Sequence, residues 1–149
     1  MMMKLKKRNS GVTLLEIMLV LAIAAMVIVM SIRFYRNASN SQSANSVLDA
    51  VNAVTAAADN MAQGTNSYSA ITTTSLSAVV GTANMRTPFG GITISTPGQT
   101  SYTVTLAGIP PAICNQIKSQ LAGNMKITGL SSNTCASTGN FVYTYDSTK

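Results

Sequence analysis

From Val12 to Met30 the chain reads VTLLEIMLVLAIAAMVIVM, nineteen residues in which only Thr13 and Glu16 are polar. A carboxylate in hydrocarbon costs roughly 2–4 kcal/mol even on lenient insertion scales, and such groups are usually paired and functional. Glu16 is therefore the residue whose type and place most demand an explanation. The rest of the chain offers little catalytic chemistry. It has no His, which removes Ser-His-Asp triads, His-ligated metals and the usual physiological-pH switch. The two cysteines, Cys114 and Cys135, are too few for a four-ligand zinc site. Ser and Lys are present, but no motif spaces them as a nucleophile and its base. No catalytic residue, metal or cofactor is expected, and the chain is not read as an enzyme.

The elements around Glu16 begin with charge. Of ten Lys and Arg against four Asp and Glu in 149 residues, four (Lys4, Lys6, Lys7 and Arg8) precede the apolar run. The run is about as long as a bilayer-spanning helix, and the basic tip places the N-terminus in the cytoplasm and everything after residue 36 on the far side. Three readings compete. A cleaved secretory signal would end at a small-residue site, but Ala22-Ile23-Ala24 lies in mid-run with Ala25 to Met30 still to come. A plain signal anchor explains length and orientation and leaves Glu16 without a purpose.

The third reading covers the whole stretch. Gly11-Val12-Thr13-Leu14-Leu15-Glu16 after a short basic leader resembles the processing site of type IV prepilins. The resemblance implies cleavage between Gly11 and Val12 by a prepilin peptidase, N-methylation of Val12, and Glu16 as fifth mature residue. It further implies assembly through Val12, Thr13, Leu14, Leu15 and Glu16, whose carboxylate meets a cation supplied by a neighbouring subunit. Gly11 suits a tight protease cleft because it has no side chain. The new amine on Val12 has a reference pKa near 8 and stays largely cationic at neutral pH.

No Gly or Pro occurs from Val12 through Gln63, 52 residues that would reach roughly 78 Å as one helix, more than a domain of this size can bury. Arg33-Phe34-Tyr35-Arg36 forms a basic and aromatic collar of the kind found at membrane interfaces. Asn37 to Ser46, NASNSQSANS, consists largely of weak helix formers and reads either as a linker or as the soft centre of a continuous helix. Val47, Val51, Val54, Ala58 and Met61 then recur at helical spacing, with Asp49, Asn52 and Asp59 off that stripe. Ser67–Val80 is read as a surface loop with a turn of helix at Ser75–Val80, and Thr87-Pro88-Phe89-Gly90-Gly91 as a turn. Strands are expected at Ile92–Ser95, Ser101–Ala107, Asn124–Leu130 and Phe141–Asp146. A helix from Pro111, ended by Gly123, carries Ile113, Ile117 and Leu121 on one face. The fold class is α+β: a long N-terminal helix whose second half packs on an antiparallel sheet of about four strands, with a second short helix, the ladle fold of type IV pilins. The expected organisation is a cleaved leader over 1–11, a transmembrane and assembly helix over 12–36, and an exported head over 37–149.

Cys114 and Cys135 fall in the exported half, where a disulfide persists and would stabilise by about 3 kcal/mol on the chain-entropy model; the alternative is two separate buried thiols. By resemblance, such a disulfide bounds an outward-facing region, with Leu130–Thr134 and Ala136 to Asn140 at or inside its edge. Val at mature position one, Gly64-Thr65-Asn66-Ser67-Tyr68-Ser69, the Pro88-Phe89-Gly90-Gly91 turn, and Tyr102-Thr103-Val104-Thr105-Leu106 before Pro110-Pro111-Ala112-Ile113-Cys114 are similar to the type IVb branch (bundle-forming, toxin-coregulated and conjugative thin pili). An eleven-residue leader and a 138-residue mature chain are small for that branch. The implied function is a structural subunit, the major pilin of a type IVb-like pilus used for adhesion, aggregation, motility or conjugation. Minor pilins, type II secretion pseudopilins and an unrelated signal-anchored periplasmic protein are the alternatives. The implied partners are copies of the chain in a helical filament, prepilin peptidase, the inner-membrane assembly machinery and minor pilins. The inner membrane holds the subunit before it joins the extracellular pilus. Removing the leader leaves six basic and four acidic side chains with no basic run, so no specific nucleic acid is expected.

Overall fold

The computed structural model describes residues 11–95, 97–130 and 135–149. The chain divides into two compact units, the first reaching to Ala38 and the second Ser39–Lys149. Among the described residues, helix α1 (Leu14–Gln63) supplies the regular structure of the first unit and one layer of the second. It starts two residues later than the sequence suggests because Thr13 acts as its cap: the Glu16 amide donates to both the Thr13 carbonyl (3.0 Å) and Oγ1 (3.3 Å). The weak formers Asn37 to Ser46 are all helical. Ser46 Oγ donates back to the Gln42 carbonyl at 3.1 Å, a local bond that satisfies the hydroxyl without leaving the helix.

In the second unit, α1 buries Ala44, Val47, Val51, Val54, Ala57, Ala58 and Ala62. That is the stripe read from the sequence, widened by alanines, while Met61 lies at its margin. It shares one core with a four-stranded antiparallel sheet of order β1-β2-β4-β3, formed by β1 (Ile92–Ser95), β2 (Ser101–Ile109), β3 (Ile127–Thr128) and β4 (Gly139–Asp146). The central pair sets Tyr102 opposite Tyr145, Val104 opposite Tyr143 and Leu106 opposite Phe141, all buried. Alternate residues face away from that core, and there Thr103 and Thr144 bring their hydroxyls to 3.4 Å.

The expected strand over Asn124–Leu130 shrinks to two residues for two local reasons. Asn124 Oδ1 accepts from the Lys126 amide at 3.1 Å, committing the first three residues to a turn. Gly129 takes φ +60°, which breaks the extended chain immediately after Thr128. β2 runs on past Ala107 through an irregularity between Leu106 and Ile109. At its centre Gly108 adopts φ +72°, and a Cβ there would lie 2.8 Å from the Phe89 carbonyl oxygen. The expected turn supplies the counterpart: a Cβ on Gly90 would meet the Ala107 carbonyl oxygen at 2.7 Å. Thr87, buried, closes that turn, its Oγ1 donating to the Gly90 carbonyl (2.9 Å) and accepting from the Gly90 amide (3.1 Å).

Helix α2 (Thr73–Val80) starts two residues before the turn of helix expected at Ser75–Val80 and makes about two turns. Thr72 and Ser75 form a reciprocal capping box, and Gly81 at φ +88° ends the helix. Thr73 Oγ1 accepts from the Ile94 amide at 3.0 Å, fastening α2 beside β1, and Leu76 enters the core. Helix α3 (Pro111–Leu121) begins on Pro111 and buries Ile113, Cys114, Ile117 and Leu121.

Candidate functional site

The candidate site is the start of α1, and it is built from a helix terminus. The first four amides of a helix lack intrahelical acceptors. Thr13-Leu14-Leu15-Glu16 has the spacing of a capping box, with Thr at the cap and Glu three residues on. The Thr13 half is made, by the bond from the Glu16 amide. Glu16 also sits in the first turn, where the helix dipole favours negative charge. The T-x-x-E pattern is the sequence signal of this local role.

Around that terminus nothing is buried. Every residue from 11 to 39 is exposed, including Leu14, Leu15, Leu19, Leu21, Met26 and Met30. α1 is long and apolar enough to cross a membrane, and none of its apolar window is covered. Residues 14–38 alone extend roughly 37 Å, longer than the about 30 Å hydrocarbon core of a bilayer. Val12, Glu16, Ile17, Val20 and Leu21 line a shallow groove of about 200 Å³ along one side. Among the described residues, no salt bridge engages Glu16. At Gly11 an added Cβ would have nothing within 4 Å, so the fold itself does not require glycine there. The leader over 1–10 lies outside the described residues.

At the other end of the chain Cys114 and Cys135 are bridged, Cα to Cα 5.7 Å, so α3 is tied to the segment entering β4. Cys135 holds φ +48°, a conformation L residues rarely adopt, and Ala136, Ser137, Gly139 and Asn140 line a cavity of about 350 Å³ beside it. Of the expected loop Leu130–Thr134, residues 131–134 lie outside the described residues.

Asp59, which helical spacing places off the apolar stripe, is engaged by two tyrosines. Its Oδ1 accepts from the Tyr68 hydroxyl at 2.7 Å and its Oδ2 from the Tyr145 hydroxyl at 3.0 Å. Those rings close on a third: Tyr68 and Tyr102 centroids are 5.2 Å apart, Tyr102 and Tyr145 5.1 Å. Burial, then the hydrogen bond and charge of Asp59, push the Tyr145 hydroxyl up to about 12 and raise Tyr68 for the same reasons. Burial also raises Tyr102 and Tyr143, whose hydroxyls lie near Thr55 but make no well-formed hydrogen bond among the described residues. No sequence pattern marks this cluster, since its members are separated by up to 86 positions.

Among the described residues no group of His, Cys, Asp or Glu is arranged to hold a metal ion. Compared with known protein families, residues 6–32 match the prokaryotic N-terminal methylation motif. No curated protein matches the chain. The motif supports a type IV pilin-like or pseudopilin-type prepilin, a structural rather than an enzymatic family, and implies processing by prepilin peptidase and assembly into a pilus. The long apolar helix, four-stranded antiparallel sheet and short helices have the matching α+β pilin-like layout. Helix and motif together are consistent with membrane anchoring before assembly.

Proposed function

We propose that the chain is the major structural subunit of a type IVb-like pilus, cut between Gly11 and Val12, N-methylated on Val12, and polymerised through residues 12–36 with the head over 37–149 outside. The observation that carries this reading is the exposed apolar helix after Gly11, bearing one carboxylate at its start. Burying a Leu or Ile side chain is worth about 1.5–3 kcal/mol, so so many exposed apolar residues need lipid first and copies of the same helix afterwards. The freedom around Gly11 supports a requirement imposed by a peptidase rather than by the fold. In a packed helical core, Glu16 would be buried, and its pairing with the Val12 amine of an adjacent subunit would fix the axial register. Breaking such a pair from one side typically costs about 3–5 kcal/mol.

Mass spectrometry of filaments sheared from cells tests the proposal. The expected chain starts at methylated Val12 and carries the Cys114–Cys135 bridge. Recovery of the chain only in membranes, with Met1 intact, from cells with an active prepilin peptidase overturns it. Filaments containing the chain only in trace amounts would exclude the major-subunit assignment.

A further inference from the structure

Below the tyrosine cluster, Asp59, Ala62, Gln63, Asn66, Tyr68, Gln99, Thr100 and Ser147 line a cavity of about 230 Å³. Three segments distant in sequence are tied together to make it. The Tyr68 amide donates to the Gln99 carbonyl at 3.1 Å, and the Ser147 amide and hydroxyl both donate to the Thr100 carbonyl at 3.0 Å. The end of α1, the turn after it, the β1–β2 connection and the C-terminal tail thus share one wall. Asn66 holds φ +53° in that turn, a conformation Asn tolerates better than most residues.

The lining narrows the ligand. It includes no Lys or Arg, which disfavours an anion. Its one carboxylate already accepts a tyrosine hydroxyl on each oxygen, which leaves a poor site for a hard divalent cation needing six or more oxygens. What remains is neutral hydrogen-bonding capacity. The side-chain amides of Gln63, Asn66 and Gln99 make no hydrogen bond among the described residues, and each offers an acceptor and two donors in one plane. Asp59, oriented by its two tyrosines, keeps further lone pairs for a donor. Paired donors and acceptors around a fixed carboxylate complement adjacent hydroxyls of a polyol ring. The volume is below the roughly 300–1,000 Å³ of drug-sized sites and limits the ligand to a single ring.

We propose that this cavity binds one neutral pyranose, held by the Gln63, Asn66 and Gln99 amides and Asp59, either as a free sugar or as the terminal residue of a glycan. The proposal does not rest on filament assembly, and its failure would leave the proposed function untouched.

The test is a titration of the full-length protein, in a detergent without a sugar headgroup, followed by NMR of the side-chain amide signals. The probes are glucose, galactose, mannose, N-acetylglucosamine and their methyl glycosides. At least one is expected to shift the Gln63, Asn66 and Gln99 signals saturably in the millimolar range. Asn66→Gly, which keeps the backbone conformation, and Gln99→Ala, at an exposed position, are each expected to weaken binding about three- to tenfold. Binding of a methyl glycoside as tight as the free sugar identifies a glycan terminus as the source; loss on methylation identifies a free sugar. No saturable shift with any probe overturns the proposal, as do affinities in both variants unchanged from the unsubstituted protein, or shifts caused by calcium chloride and by no sugar.

Discussion

Raising the pH tests the tyrosine cluster directly. Tyr68, Tyr102, Tyr143 and Tyr145 all have hydroxyls raised above the ordinary value of 10.0 in the folded chain. In the unfolded chain they ionise near 10, so between pH 10 and the folded values the unfolded state binds fewer protons than the folded one. Stability is then fully present below pH 10 and falls as pH rises, levelling for Tyr145 near pH 12 and for the other three above that. Each such group contributes a slope of about 1.4 kcal/mol per pH unit. Four titrating together approach about 5 kcal/mol per unit, against a typical domain stability of about 5–15 kcal/mol. The head is therefore expected to unfold within about one to three units above pH 10. Circular dichroism and tyrosinate absorbance, recorded together on a Tyr35→Phe background so that only the four buried tyrosines report, should change in one step. Asp59→Asn provides the internal check. An amide presents one oxygen where the carboxylate presents two, so one tyrosine loses its acceptor and neutral-pH stability drops by about 1.5–3 kcal/mol. The alkaline loss from Tyr68 and Tyr145 should also level off at a lower pH, because the Asp59 contribution to their raised values is gone while burial remains. Tyrosinate absorbance of the buried tyrosines rising near pH 10 while the fold persists would refute the reasoning, as would an unchanged levelling pH in Asp59→Asn.

Gly108→Ala should cost at least about 2 kcal/mol in chemical denaturation, from its positive φ and from contact with the Phe89 carbonyl. Gly91→Ala, with open space around it, should leave stability unchanged or raise it by up to about 1 kcal/mol. Replacing Cys114 and Cys135 together by Ser should remove about 3 kcal/mol and lower the melting midpoint of the head by about 10–20 °C; an unchanged midpoint would show that the bridge contributes nothing. Glu16→Val is expected to leave membrane insertion and head folding intact while abolishing filaments. Glu16→Gln retains a capping-box side chain without its charge. Loss of filaments in both variants locates the effect in the charge, whereas normal filament yield from either would sink the assembly role.

What the sequence made legible was set by local periodicity and by residues with one dominant preference. Pro111 opened α3, the Val47, Val51, Val54 and Ala58 stripe found the core, and the alternation of Tyr102, Val104 and Leu106 marked β2. The hidden parts depend on contacts across the chain. The start of α2 fell two residues before the turn expected at Ser75–Val80 because its capping box uses Ser75 rather than Glu or Gln, and because its eight residues bury only Leu76. β3 was overread because Asn124 and Gly129 spend the flanks of an apolar stretch on turns. Asp59 is legible only as a residue off the apolar stripe, because helical spacing alone cannot reveal two tyrosines arriving from elsewhere. The run Asn37 to Ser46 shows the opposite case: weak intrinsic preference yields to strong helices on both sides.

The bond from the Ile94 amide to Thr73 has a consequence for a molecule crowded against its own copies. A sheet's outer strands carry unsatisfied amides and carbonyls that can recruit a strand from another chain. Here one border, β1, is four residues long and has an inward claim on Ile94 from a threonine hydroxyl, which leaves little for another chain to extend. At the other, β3 covers only Thr144 and Tyr145 of β4, so among the described residues no strand flanks β4 over Phe141–Tyr143 on that side. Strand addition between heads is thereby discouraged along β1 and directed to the β4 border.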